Sequence, residues 1–252
     1  MVHGSSYRVG LIVPSSNVTM ETEIPALLRS RPNVYDESYT FHSSRMRMQE
    51  VTPEELARMD EQSENCAVEL SDARCDVLAY ACLIGIMAQG PGYHEESEAT
   101  LRETAAENGG DAPVVTSAGA LVRAFDALDA QRVAVITPYL QHLTDTVIEY
   151  FEGDGVEVVD SISLECPDNL EVAALDPADL LNHMEALDHD DADAVVLSSC
   201  VQMPSLASIQ AAEDQLGKPV LSASIATTYD ILQALGRSPR VEGAGTLLSG
   251  EV

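Results

Sequence analysis

The chain has 252 residues, 45% of them apolar, enough to bury one large core or two compact ones. Its 42 acidic residues outnumber 13 basic ones for a formal charge of −29, which leaves no basic face for phosphates and sets nucleic acid aside as a partner. The longest apolar run, Val77 to Ala88, is twelve residues and broken by Gly85, short of the roughly eighteen that cross a bilayer, so no membrane partner is expected.

The first residues, Met1-Val-His-Gly-Ser-Ser, place no basic group ahead of an apolar stretch, so they do not read as a secretory signal and a cytoplasmic protein is expected. Next comes Arg8-Val-Gly-Leu-Ile-Val-Pro-Ser-Ser-Asn17, a buried strand ending in a polar turn. Thr52-Pro-Glu-Glu opens a helix running through Leu56 and Met59 to Leu70, with threonine as cap and proline in the first turn. Asp76-Val-Leu-Ala-Tyr-Ala-Cys82 is a second short apolar strand, closing on a cysteine. Gly90-Pro-Gly92 is a turn, since no phosphate-loop pattern surrounds it. Arg132-Val-Ala-Val-Ile-Thr-Pro-Tyr139 then echoes the first strand, a helix begins near Asp176-Pro-Ala-Asp, and Asp193-Ala-Val-Val-Leu-Ser-Ser-Cys200 echoes the second.

These echoes form a repeat. Arg8 to Cys82 spans 74 positions and Arg132 to Cys200 spans 68, so the halves read as copies of one unit. Apolar strands alternating with amphipathic helices predict an α/β protein of two pseudo-symmetric lobes, each a parallel sheet flanked by helices. The N-terminal lobe is expected over 1–118 and the C-terminal lobe over 119–219, with a last segment, about 220–252, packing back on the first. Ligands of open α/β sheets sit beyond the carboxyl ends of the strands, which places the active site in the cleft between the lobes and lets Asn17, Cys82, Tyr139 and Cys200 converge there.

The five cysteines, at 66, 75, 82, 166 and 200, are odd in number, lack C-x-x-C spacing and have no accompanying histidine cluster. Free thiols and no metal are expected. Cys82 and Cys200 stand at equivalent polar exits of buried strands, where backbone N–H groups of a following helix favour a thiolate; the plainer reading is that they are small buried hydrophobes. Cys66, Cys75 and Cys166 lack this placement and read as packing residues. Asn17 can equally cap the next helix, Asn169 organise a turn, and Tyr139 pack with its hydroxyl reaching backbone or water. Arg45 is either a carboxylate anchor or half of a surface ion pair. The six histidines fit no nucleophile–base pattern and are expected at solvent-facing or helix-end positions. The spread of acidic residues, with Lys218 as the single lysine, is expected of a solvated surface adapted to high salt, as in halophilic proteins.

The segments Gly10-Leu-Ile-Val-Pro-Ser-Ser-Asn17-Val-Thr-Met-Glu, Ala81-Cys82, Thr137-Pro-Tyr139, Pro167-Asp-Asn169 and Ser198-Ser-Cys200-Val-Gln-Met-Pro-Ser205 together resemble the maleate cis-trans isomerases, of the aspartate/glutamate racemase superfamily, over nearly the whole chain. The resemblance implies two α/β lobes with one cysteine from each at the cleft, no cofactor, a small dicarboxylate substrate and a homo-oligomer. It implies that Cys82 is the nucleophile adding to an alkene carbon of maleate, that rotation and elimination give fumarate, and that Cys200 is its partner thiol. Asn17, Tyr139, Asn169 and Val201 are the implied substrate-binding residues. Two facing thiols also suit a racemase of an acidic amino acid or hydantoin, or a related arylmalonate-type decarboxylase, and a non-catalytic metabolite-binding protein could use the same cleft.

Overall fold

The computed structural model of the chain describes residues 5–31 and 35–252. Residues 1–4, on which the signal-peptide reading and His3 fall, lie outside the described residues. The first sheet contains β1 (Ser5–Pro14), β2 (Glu37–Met46), β3 (Val77–Tyr80) and β4 (Val114–Thr116), all parallel, in the order β2-β1-β3-β4. The second contains β5 (Arg132–Thr137), β6 (Glu157–Ser163), β7 (Ala194–Ser198) and β8 (Val220–Ser222), also parallel, in the matching order β6-β5-β7-β8. The repeat in the sequence is thus a repeat in topology. β3 and β7 are buried along their whole length, which is why they read as unbroken apolar runs.

Helices α1 (Met20–Ser30), α2 (Pro53–Asp72), α3 (Leu83–Met87) and α4 (Tyr93–Glu107) connect the first sheet, and α5 (Ser117–Ala127) leads to the second. There α6 (Gln141–Gly153), α7 (Asn169–Ala173), α8 (Asp179–Ala186) and α9 (Leu206–Leu216) make the crossings before α10 (Ala223–Ala234). Thr52 caps α2 as its sequence suggests, its side chain accepting the Glu55 N–H at 3.3 Å. The helix expected at Asp176 starts three residues later, because Asp176 Oδ1 accepts the Ala178 N–H at 2.9 Å and turns the chain before α8. Helix α10 returns to pack on α1, α5, β3 and β4. Beyond it, the fully buried Arg31 donates from Nη1 to the carbonyls of Ser238 and Arg240 at 2.8 and 2.7 Å, while Nη2 pairs with Glu37 at 2.9 Å.

His94 takes the helix-end position of the two expected, without facing solvent. It is buried at the start of α4, with Nδ1 2.7 Å from the Tyr150 hydroxyl of α6, which also accepts the His94 backbone N–H at 3.1 Å. The contact joins a helix of one sheet to a helix of the other. Lys218, the single lysine, directs Nζ at the carbonyls of His189 and Ala192, at 2.7 and 2.8 Å. Among the described residues no helix is long and apolar enough to cross a membrane.

Candidate active site

In each sheet the chain runs outward from the central strand and returns on its other side, creating a crevice at the carboxyl ends of β1 and β3, and of β5 and β7. Asn17 follows β1, Cys82 follows β3, Tyr139 follows β5 and Cys200 follows β7. All four line one narrow cavity of about 20 Å³, together with Pro14, Met48, Val51, Ile84, Asn169 and Val201. The structure therefore gathers all six residues singled out in the sequence. Val51, Tyr139 and Asn169 also border a larger chamber of about 400 Å³. Among the described residues no lysine or arginine lines either space; a carboxylate in the narrow cavity would meet neutral donors, while the larger chamber carries Glu50 and Asp168.

The two thiols differ in their surroundings. Burial pushes Cys82 up to about 12, opposed by the Gly85 backbone N–H aimed at the sulfur and reinforced by negative charge at Cys200 and Asp60. Gly85 leaves room for this approach: a Cβ there would lie 3.1 Å from Cys82 Sγ and 2.7 Å from Met59 Cε, so both would have to shift. Asp60 is itself held by the hydroxyls of Tyr80 and Tyr93, which donate to its two oxygens at 3.0 and 2.6 Å. Burial also raises Cys200, but the Tyr139 hydroxyl and the backbone N–H groups of Gln202, at 3.4 Å, and Met203 pull it down. The N–H groups act in the direction expected from the sequence, and desolvation outweighs them at both thiols. The expectation that strand-end placement favours the thiolate is corrected accordingly. Burial, then the charge and hydrogen bond of Cys200, hold the Tyr139 hydroxyl well above its ordinary value, so it remains a donor.

Asn17 caps the next helix and also lines the cavity. Its Oδ1 accepts the N–H groups of Thr19 and Met20, at 3.1 and 3.0 Å, capping α1. With the oxygen so used, Nδ2 is the atom this side chain can offer a carboxylate. Asn169 donates from Nδ2 to Ser16 Oγ at 2.8 Å, a bond between the two lobes. Val201 is buried beside Cys200. Arg45 donates to the carbonyls of Ser15 and Asn17, at 2.9 and 3.0 Å, and pairs with Glu21; it braces the turn carrying Asn17.

Cys66 and Cys75 are buried packing residues, as expected, and burial raises both, Cys75 to about 11. Cys166 is half-buried and packs against the core, as expected, and it also borders the larger chamber. Sequence reasoning also passed over Gln202 and Glu23. Both are buried polar side chains of one lobe bonded to backbone of the other; the signal for Gln202 was its place within the Ser198–Ser205 motif.

A family model described as arylmalonate decarboxylase matches residues 9–248. The maleate isomerases of Geobacillus stearothermophilus and Alcaligenes faecalis are 61% and 58% identical over 246 residues, covering 97% of this chain and 98% and 97% of theirs. The chain belongs to the maleate isomerase family. Its α/β fold is that of solved maleate isomerases: a cysteine-to-alanine variant from Pseudomonas putida with maleate superposes with a TM-score of 0.97 at 55% identity, over 98% of this chain and 99% of that one. A cysteine-to-serine mutant of the Nocardia farcinica maleate isomerase, with a covalently bound succinylcysteine intermediate, gives 0.94 at 46% identity over 98% and 100%. Arylmalonate decarboxylase, at 21% identity and a TM-score of 0.75, shares the fold of the maleate isomerases.

Proposed function

We propose that the chain isomerises maleate to fumarate, with Cys82 as nucleophile and Cys200 as the group that moves the proton. The observation carrying this reading is the convergence of two thiols, from equivalent strand ends, on one cavity bordered by neutral donors. Three donors face Cys200 and one faces Cys82, so the single negative charge the pair can share rests more readily on Cys200. In the forward step the Cys82 proton passes to Cys200, and the Cys82 sulfur bonds to one alkene carbon while the π electrons move toward the far carboxylate. Cys200 then protonates the adjacent carbon, giving a saturated succinyl adduct on Cys82, the species seen in the Nocardia farcinica relative. Rotation about the new single bond carries one carboxylate to the opposite side. Cys200 removes a proton from that carbon, the carbon–sulfur bond breaks, fumarate leaves, and the proton returns from Cys200 to Cys82.

The adduct-forming step places charge on a carboxylate, where fixed donors stabilise it most. Asn17 and Asn169 amides, the Tyr139 hydroxyl and backbone N–H groups near Cys82 and Val201 are suited to that work. The division into lobes 1–118 and 119–219 is part of this reading, supported by the change of sheet between Thr116 and Arg132, with the segment from about 220 assigned to the first lobe on the packing of α10. A homo-oligomer, a cytoplasmic location and adaptation to high salt are carried with it; the last rests on the charge of −29 and predicts a melting temperature that climbs from low to molar KCl.

Incubation of the purified protein with maleate in molar KCl, followed by proton NMR, should show fumarate appearing. No fumarate, together with solvent deuterium entering aspartate or glutamate, would replace the isomerase by a two-thiol racemase.

A further inference from the structure

Gln202, two residues after Cys200, is 2% exposed and has every position of its amide occupied. Oε1 accepts the Val18 N–H at 2.9 Å and, at longer range, the Thr19 N–H at 3.4 Å. Nε2 donates to the carbonyls of Ser16 and Asn169, at 2.9 and 2.8 Å. Backbone donors on one side and acceptors on the other fix the amide in a single orientation. The residues it holds are those around the cavity: the turn of Ser16 to Thr19 presents Asn17, and Asn169 comes from the other lobe. The backbone N–H of Gln202 itself meets Cys200 Sγ at 3.4 Å. Gln202 does not border the cavity, so any influence on chemistry passes through these neighbours.

We propose that Gln202 is a positioning residue that sets the Asn17 and Asn169 amides at the separation from the two thiols that a four-carbon diacid requires. The proposal rests on the isomerase reading and adds a determinant of substrate geometry to it. A second inter-lobe contact supplies the control. Glu23 of α1 accepts the N–H groups of Ser205 and Leu206, at 2.6 and 2.7 Å, and the Ser205 hydroxyl at 3.3 Å, capping α9 away from the cavity. Both side chains hold the lobes together, and Gln202 alone of the two grips the turn that carries Asn17.

The test compares Gln202→Met, Gln202→Glu and Glu23→Gln with the unchanged protein in molar KCl, each checked by circular dichroism and melting temperature. Misplacing reacting groups by about 1 Å costs on the order of 100-fold in rate, and kcat/KM for maleate should fall by about that much in Gln202→Met, with KM rising about tenfold. Gln202→Glu, which sets a carboxylate oxygen against two carbonyls, should fall at least as far. Glu23→Gln should lower the melting temperature while kcat and KM stay within about twofold. A second readout needs no turnover: mass spectrometry of the Cys82 peptide gives the rates of alkylation by iodoacetate and iodoacetamide. Their ratio should drop about tenfold in Gln202→Met, because the carboxylate reagent depends on the positioned amides and the neutral one does not. Should the unchanged protein yield no fumarate, the isomerase reading fails and this ratio still reports on positioning. Kinetic losses that track melting temperature equally at Gln202 and Glu23, an unchanged alkylation ratio, or failure of both Gln202 variants to fold would assign Gln202 to lobe cohesion and overturn the proposal.

Discussion

The two lobes share a strand order and place a thiol at the same point of each sheet, yet they surround those thiols differently. Cys82 has one backbone donor, from Gly85, and the Asp60 carboxylate adding to its cost of ionisation. Cys200 has a phenol and two backbone N–H groups. Duplicated topology therefore yields a pair of unlike acids, and the difference comes from Tyr139 and Asp60 together with the residues immediately after each cysteine. In the first lobe a short apolar helix follows, Leu83–Met87; in the second a turn of polar backbone turns back on the sulfur. This is the asymmetry that a nucleophile and its proton partner require, since a site with two equally acidic thiols would leave their roles undivided.

The sharpest way to break the comparison is to remove one member. Cys82→Ala should reduce kcat by about 10⁴-fold or more, since the one thiol left in the cavity, Cys200, would have to serve as nucleophile without a proton partner. Turnover within tenfold of the unchanged enzyme, measured by fumarate absorbance, would move the nucleophile elsewhere. Tyr139→Phe tests the donors that distinguish Cys200. A hydrogen bond to a charged group contributes about 1.5–3 kcal/mol, so kcat/KM should fall by about ten- to a hundredfold. The same variant sharpens the pH argument. Burial raises both thiols, so one proton must leave an already weak acid pair, and kcat/KM should climb with pH above neutrality by up to about tenfold per unit. Without the Tyr139 donor that rising limb should move to higher pH; a limb that stays put would show that Tyr139 does not support the Cys200 charge. The smallest effect is expected at Gly85→Ala, where the added methyl crowds Cys82 Sγ and Met59. A stability loss of about 1–3 kcal/mol by denaturant titration, with kcat lowered and KM little changed, is the expected result.

Local pattern made the lobes legible, because buried parallel strands are short apolar runs whose exits are polar, and a repeated exit ending in cysteine is visible without a structure. Asn17, Tyr139 and Asn169 were less plain: Asn17 caps α1 while lining the cavity, Tyr139 is buried there, and the turn expected of Asn169 is made by Asp168, which accepts the N–H groups of Leu170 and Glu171 while Asn169 bonds to Ser16. What the sequence concealed depends on distance through space. Gln202 bonds to groups 183 to 186 residues away and matters through backbone atoms, which carry no sequence signature. The raised pKa values of the thiols follow from burial, and strand-end placement alone suggested the opposite direction. Cys166 resembles any lone cysteine until the chamber beside it is seen, and His94 any helix-end histidine until Tyr150 closes over it.

The division of labour between the thiols is tested most directly by Cys200→Ser incubated with maleate and analysed by peptide mass spectrometry. A serine hydroxyl can lend a proton but is too weak a base, at neutral pH, to take one from Cys82 or from carbon, so Cys82 must lose its proton to solvent, and the adduct should form slowly and persist. Fumarate production should fall by about 10²–10⁴-fold, with the mass of one maleate added to the peptide containing Cys82. An adduct found on Cys166 or another cysteine in place of Cys82, or full turnover with no adduct, would contradict the assignment of Cys82 as nucleophile and Cys200 as its proton partner.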